Sequence, residues 1–235
     1  MKTFNHLLSP LQIGETEIRN RILVSAHVPG FAENNLPGKN YIDYHRTYAK
    51  SGVGLQITGG SAVHESGLLS IGSDGLRNMN DDIIPGYQKL AEAVHQQNGR
   101  ILAQLAHSAG TTLIKQPGLV SWSASSIRSL FTGLRSHAMT YIEIVEVIDA
   151  FAAAASRARQ GGLDGVEILG AFGFLPQAFL SPLTNLRKDS YGGSLKNRLR
   201  FTLELLEAVK PQLDSHQILG LRIPGDEYEP GGLTI

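Results

Sequence analysis

At 235 residues, 42% of them hydrophobic and 18% charged, the chain has the composition of a globular protein and room for one large domain or two small ones. Lys and Arg total 21 and Asp and Glu total 21, so the formal net charge is zero; with no basic stripe or acidic tail, neither nucleic acid nor a membrane surface is an expected partner. Cysteine is absent, which removes disulfides, cysteine-ligated zinc or iron–sulfur clusters and thiol nucleophiles from this stretch and fits a cytoplasmic protein.

The opening "MKTFNHLLSPLQIGETEIRN" carries no long apolar run, so no signal peptide is expected, and nothing in the chain approaches the roughly 20 apolar residues of a membrane helix. Short apolar runs rich in Ile, Leu and Val read as buried strands at 21–26, 53–58, 100–106, 164–169 and 217–223. Helical patterns lie between them. The segment 40–52 ends in Gly52, and 83–99 gathers Tyr87, Leu90, Ala91 and Val94 on one face before stopping at Gly99. The segment 140–162 starts at Thr140, a helix-capping residue type, and carries Arg157 and Arg159 near its end, where the helix dipole favours cations. The last helix, 194–213, begins with Ser194 after Gly192-Gly193.

Strand and helix in alternation, with strands apolar on both faces, predict a parallel sheet with right-handed crossovers. The fold class is α/β. No Gly-x-Gly-x-x-Gly turn follows the first strand, and "SAHVPGFAENN" stands there instead, which favours a (β/α)8 TIM barrel over an open doubly wound sheet. About five strand–helix units are visible where a closed barrel needs about eight, in typically ~250 residues. The expectation is a barrel truncated after about the fifth strand, with Thr234 starting a further helix and a long loop over 107–139.

Working residues of such barrels stand at the carboxyl ends of the strands. Those ends carry Ala26, His27 and Val28; Thr58, Gly59 and Gly60; Gln104 and His107; Leu169 and Phe172; and Arg222. The two glycines allow close backbone approach to a flat ligand or simply make a tight turn. Gln104, an amide inside an apolar strand, needs partners for donor and acceptor, which a heterocycle edge or a structural network would supply. Arg222 cannot shed its charge and needs an electron-rich ligand or a buried carboxylate such as Glu167. His27 and His107 are isolated in sequence and read as packing or hydrogen-bonding residues. No metal-ligand spacing, nucleophile elbow or phosphate loop is visible. In "EILGAFGFLP" the positions where polar groups would be expected hold Leu169, Phe172 and Phe174.

The block "FLSPLTNLRKDSYGGSLKNRLRF" (179–201) resembles the segment after the fourth barrel strand in the Old Yellow Enzyme family of FMN oxidoreductases, which includes 2,4-dienoyl-CoA reductases and trimethylamine dehydrogenase. "LLSPLQIGETEIRNRIL", "SGVGLQITGG", "NGRILAQLAHSAG" and "GLRIPGDEYEPGGLT" resemble other family blocks in the same order, so the similarity spans one domain, 1–235. The resemblance implies FMN as cofactor and NADH or NADPH as hydride donor to a small-molecule substrate such as an activated alkene, and leaves a homo-oligomer open. By position it places Ala26, His27 and Val28 against the flavin, Gly60 beside it, Gln104 on its pyrimidine edge, and Arg222, the catalytic candidate, near N1 and O2. The family commonly carries Pro and Cys or Thr at the positions of Ala26 and Val28.

Leu169 and Phe172 align with a His-x-x-His or His-x-x-Asn pair that holds the substrate carbonyl, and Phe174 with a Tyr that protonates the substrate carbon. An apolar substrate pocket is therefore implied, with poor enone reduction, and a non-catalytic remnant of the family is the alternative. The family holds the FMN phosphate in its last two strand–helix loops, beyond residue 235, so weak or no FMN binding is expected of this stretch. Within 179–201, Gly192-Gly193 is read as a turn, Ser194 as a cap and Arg198 as a local structural partner.

Overall fold

A computed structural model describes residues 4–68, 75–110, 120–128 and 133–234. In chain order these form α1 (Asn5–Leu8), the hairpin β1 (Leu11–Ile13) and β2 (Thr16–Ile18), β3 (Leu23–Val24), α2 (Lys39–Lys50), β4 (Leu55–Ile57), β5 (Ser61–Ala62), α3 (Ile84–His95) and β6 (Arg100–Ala106). The pair β7 (Trp122–Ser123) and β8 (His137–Ala138) follows, then α4 (Tyr141–Gln160), β9 (Gly165–Leu169), α5 (Leu175–Leu180), α6 (Leu195–Val209) and β10 (Ile218–Arg222). The predicted loop at 107–139 lies partly outside the described residues, as does the residue after Thr234 that would open a further helix.

The main sheet runs β3–β4–β6–β9–β10, all pairs parallel, in the order in which the strands leave the chain. A helix follows each of the first four staves, which is the (β/α) barrel pattern the alternation predicts. Alternate residues serve the two faces. Ile101, Ala103 and Leu105 of β6 and Val166 and Ile168 of β9 point outward into the core formed with the helices. Leu55, Ile57 and Leu102 point inward, where Ile18 of the hairpin meets them.

The hairpin plugs the amino-terminal end of the staves. Gly14 takes a left-handed φ of 57° at its turn, Thr16 donates its hydroxyl to the carbonyl of His216, and Arg19 donates to the carbonyls of Gln97, Ala49 and Val53 at 2.7, 2.5 and 2.9 Å. Gly165 is required at the start of β9. Its φ is 142°, and a Cβ there would lie 2.0 Å from the Ile218 carbonyl oxygen of β10.

The helices begin and end as their sequences dictate. Thr140 and Glu143 form a reciprocal capping box at the start of α4. Ser194 accepts from the Asn197 amide to open α6, and Pro211, unable to donate to the helical ladder, follows its end in a short 3-10 turn. The 179–201 block is scaffold. Asn185 donates to the carbonyls of Phe179 and Tyr191 at 2.6 and 2.7 Å, Arg198 to that of Leu180 at 2.7 Å, and Arg187 to those of Ala124 and Met139 at 3.0 and 2.6 Å.

Candidate active site at the carboxyl ends of the strands

The inner face is layered. The floor is Leu55, Ile57 and Leu102, with Ala26 and Ile218 packed against it. One step nearer the carboxyl ends, Gln104 on β6 stands opposite Glu167 on β9, and Glu167 stands opposite Gly220 on β10. Arg222, two residues beyond Gly220, is on the same face. Gln104 Nε2 donates to Glu167 Oε1 at 2.7 Å, Arg222 Nε donates to the same oxygen at 3.0 Å, and Arg222 Nη2 reaches Oε2 at 3.4 Å. The sequence brings the predicted amide and guanidinium together, and the carboxylate weighed as a partner for Arg222 is the group that joins them.

A further step along the same strands places Ala106 beside Leu169, with Ala171 and Phe174 completing a small apolar cluster. Leu169 is register partner to Arg222, so the apolar roof abuts the polar layer. Phe172 departs from this cluster and is 75% exposed. It takes a left-handed φ of 59°, followed by Gly173 at 80°, in a turn closed by the Phe174 amide on the Ala171 carbonyl at 3.1 Å. A non-glycine residue in that region stores about 1–2 kcal/mol of strain. Gln177 supports the turn, accepting from the Gly173 amide at 2.8 Å, and donates to Glu227 at 2.6 Å, which fastens the chain after β10 to α5. The short helix α5 was hidden in the sequence by its internal proline and by side chains buried along nearly its whole length.

On the opposite side, β4 and β5 are one stave interrupted at Thr58–Gly60, since both pair with β6. Thr58 Oγ1 accepts from the Gln104 amide at 3.1 Å. A Cβ on Gly59 would lie 2.6 Å from the His27 carbonyl oxygen and 3.0 Å from Val28 Cα, so only glycine lets the chain after β3 pack here. Gly60 is buried next to it, and Val28 is 57% exposed. The His27 side chain turns toward α2, where Nδ1 lies 3.0 Å from the Ser25 carbonyl and Nε2 meets the Tyr44 hydroxyl.

Two neutral imidazoles flank the site. His45 of α2 lies beside Tyr41, Tyr44 and His27, and its Nδ1 is 3.0 Å from Gln56 Oε1. His107, after β6, accepts the Ala109 amide at Nδ1 and contacts Ser66 Oγ at 2.9 Å, with the His64 ring stacked nearby. Burial lowers His45 to about 4 and His107 to about 3, with the neighbouring histidine opposing protonation in each case. The unfolded chain protonates both near 6.5 and the folded chain does not, so stability is full above pH 6.5 and falls as pH drops toward those folded values. Each group contributes a slope of about 1.4 kcal/mol per pH unit in that window. Urea unfolding at steps from pH 7.5 to 5 should show the decline, and His45→Gln should lessen its slope by the share of one histidine; a midpoint independent of pH would contradict the neutral burial.

Gln104 keeps its Oε1 and one N–H free of any protein partner among the described residues, and Arg222 keeps Nη1 free. An acceptor and a donor side by side, with a cation next to them, match the alternating edge of a flavin pyrimidine ring. The residues present therefore fit FMN. Among the described residues no cluster of His, Cys, Asp or Glu is arranged to hold a metal ion, and no helix is long and apolar enough to cross a membrane.

This half of a flavin barrel defines the class, an α/β-barrel flavin oxidoreductase fold. The model of the NADH:flavin oxidoreductase / NADH oxidase family matches residues 6–235, and the chain belongs to that family, whose cofactor is FMN with NADH or NADPH as reductant. It is 37% identical to N,N-dimethylglycine/sarcosine dehydrogenase of Chromohalobacter salexigens, over 98% of this chain and 34% of that protein. It is 35% identical to an NADPH dehydrogenase of Bacillus cytotoxicus, over 97% of this chain and 65% of that one. A solved 2-naphthoyl-CoA reductase superposes with a TM-score of 0.91 at 28% identity, over 99% of this chain and 37% of that structure. The chain thus spans about a third of the first of these relatives and about two thirds of the second.

Proposed function

We propose that this chain builds the pyrimidine-edge side of the flavin site in an FMN-dependent oxidoreductase that passes hydride from NADH or NADPH to a small, apolar organic substrate. One observation carries this reading: Gln104 and Arg222 meet on one carboxylate, each with a donor or acceptor free of protein partners, beside an apolar roof. FMN, when bound, supplies the hydride chemistry. The chain's own part is to hold the ring by Gln104, to set a guanidinium beside it and to keep water from the reacting face with Leu169, Ala171 and Phe174.

The roof favours a second reading as well, a family member that binds flavin without turning over, because neither Leu169 nor Phe174 can polarise a carbonyl or give a proton. Titrating a full-length version of the protein with FMN and then adding NADH or NADPH without oxygen separates the two. Bound yellow flavin that bleaches supports the enzyme, and bound flavin that stays oxidised supports the binding protein. Protein that takes up no flavin at saturating FMN rejects both.

A further inference from the structure

We propose that Glu167 is the positioning residue of this site. Its single carboxylate fixes both Gln104 and Arg222, and it cancels the guanidinium's charge at the ring edge so that the bound flavin is held at a lower potential. The inference goes beyond the proposed function but rests on it for the flavin.

The geometry is specific. Glu167 Oε1 is shared by Gln104 Nε2 and Arg222 Nε, at 2.7 and 3.0 Å, and its side chain is 12% exposed. An ionised carboxylate only accepts hydrogen bonds, so it compels the Gln104 amide to turn its nitrogen inward and leaves Oε1 as the acceptor facing the site. With hydrogen at that position the amide would have no reason to prefer one orientation. The same carboxylate grips Arg222 from its Nε and Nη2 side, which leaves Nη1 as the projecting donor. Gly220 places no side chain between Glu167 and Arg222 on the intervening register position.

The electrostatic consequence has a definite sign. Reduction adds negative charge to the ring, and a lone guanidinium beside it would favour the reduced form. A carboxylate 3.0 Å from Arg222 Nε offsets that preference. Glu167→Gln keeps the volume and removes the charge. It is expected to tighten reduced over oxidised FMN by about tenfold or more, which for a two-electron couple is a rise of about 30 mV in midpoint potential. In an Arg222→Gln background the carboxylate acts on the ring without its cation, so the starting potential should lie below that of the wild type and Glu167→Gln should raise it again.

Two sets of measurements decide the matter. The midpoint potential and the FMN dissociation constant, the latter from quenching of flavin fluorescence, are taken in the full-length protein for the wild type, the two single variants and the double variant. Melting temperatures of all four without FMN form a second cycle. A potential that rises in Glu167→Gln and falls in Arg222→Gln, together with a double variant no less stable than Glu167→Gln alone, supports the proposal. Additive melting shifts with an unchanged potential overturn it, since a merely structural residue would move stability alone. A wild type that binds no FMN sinks the proposed function and the tuning role together, while the melting cycle still decides whether Glu167 positions Arg222. If Glu167→Gln does not fold, Glu167→Asp, which keeps the charge and withdraws it by one methylene, should give the same direction of shift in smaller measure, and an unmoved potential there overturns the tuning.

Discussion

Phe179→Ala is expected to destabilise the protein by about 3–5 kcal/mol, the range for removing a fully enclosed phenylalanine. The ring has no solvent exposure. It stacks on Phe201 with centroids 4.3 Å apart and planes 10° from parallel, meets Tyr191 edge-on at 6.1 Å, and lies 5.9 Å from the Arg187 guanidinium carbon. These contacts join α5 to α6 and both to the chain around β7 and β8, so no single neighbour can collapse into the hole without dragging others. Guanidinium unfolding monitored by circular dichroism would read the loss. Phe201→Ala and the double variant would then report the ring–ring coupling, about 0.5–1.5 kcal/mol beyond area burial. A loss under about 1 kcal/mol would mean that the site relaxes freely and that the 179–201 block is not the scaffold its hydrogen bonds describe.

That block also shows what the sequence makes legible and what it hides. Strands at 100–106, 164–169 and 217–223 appear as Arg100–Ala106, Gly165–Leu169 and Ile218–Arg222, because strands covered on both faces are nearly continuous in Ile, Leu and Val. The first strand is shorter than its apolar run, Leu23–Val24 within 21–26, since it pairs with β4 alone. The hairpin Leu11–Ile13 and Thr16–Ile18 was available in the alternation about Gly14 but is only three residues per arm. Gln104 and Arg222 could be named because a polar group in an apolar strand demands a partner. Glu167 could be named as a partner for Arg222, but its bond to Gln104 could not, because register between strands about 60 residues apart decides which side chains stand opposite, and no local pattern encodes it. The same holds for Phe172: its sequence position is that of a pocket residue, and only a left-handed backbone turns it to solvent.

In the flavin-loaded protein, Leu169→His combined with Phe174→Tyr is expected to raise the rate of enone reduction by about 10²-fold or more, the scale on which a single oxyanion donor or general acid acts. Leu169 and Phe174 share one cluster, and Leu169 is register partner to Arg222, so both new groups would project over the layer that holds the ring edge. A hydroxyl on half-buried Phe174 has open space to reach, whereas an imidazole at Leu169, 5% exposed, must pay for its burial by finding a partner, at a cost of about 1–3 kcal/mol if it finds none. The melting temperature therefore accompanies each rate. Phe174→Tyr alone should gain less than the pair, because a proton donor acts late if nothing first polarises the carbonyl. Should the double variant fold, bind FMN and accept hydride yet reduce enones no faster than its parent, then the substrate does not approach from the Leu169–Phe174 side, and the apolar roof serves some ligand other than an activated alkene.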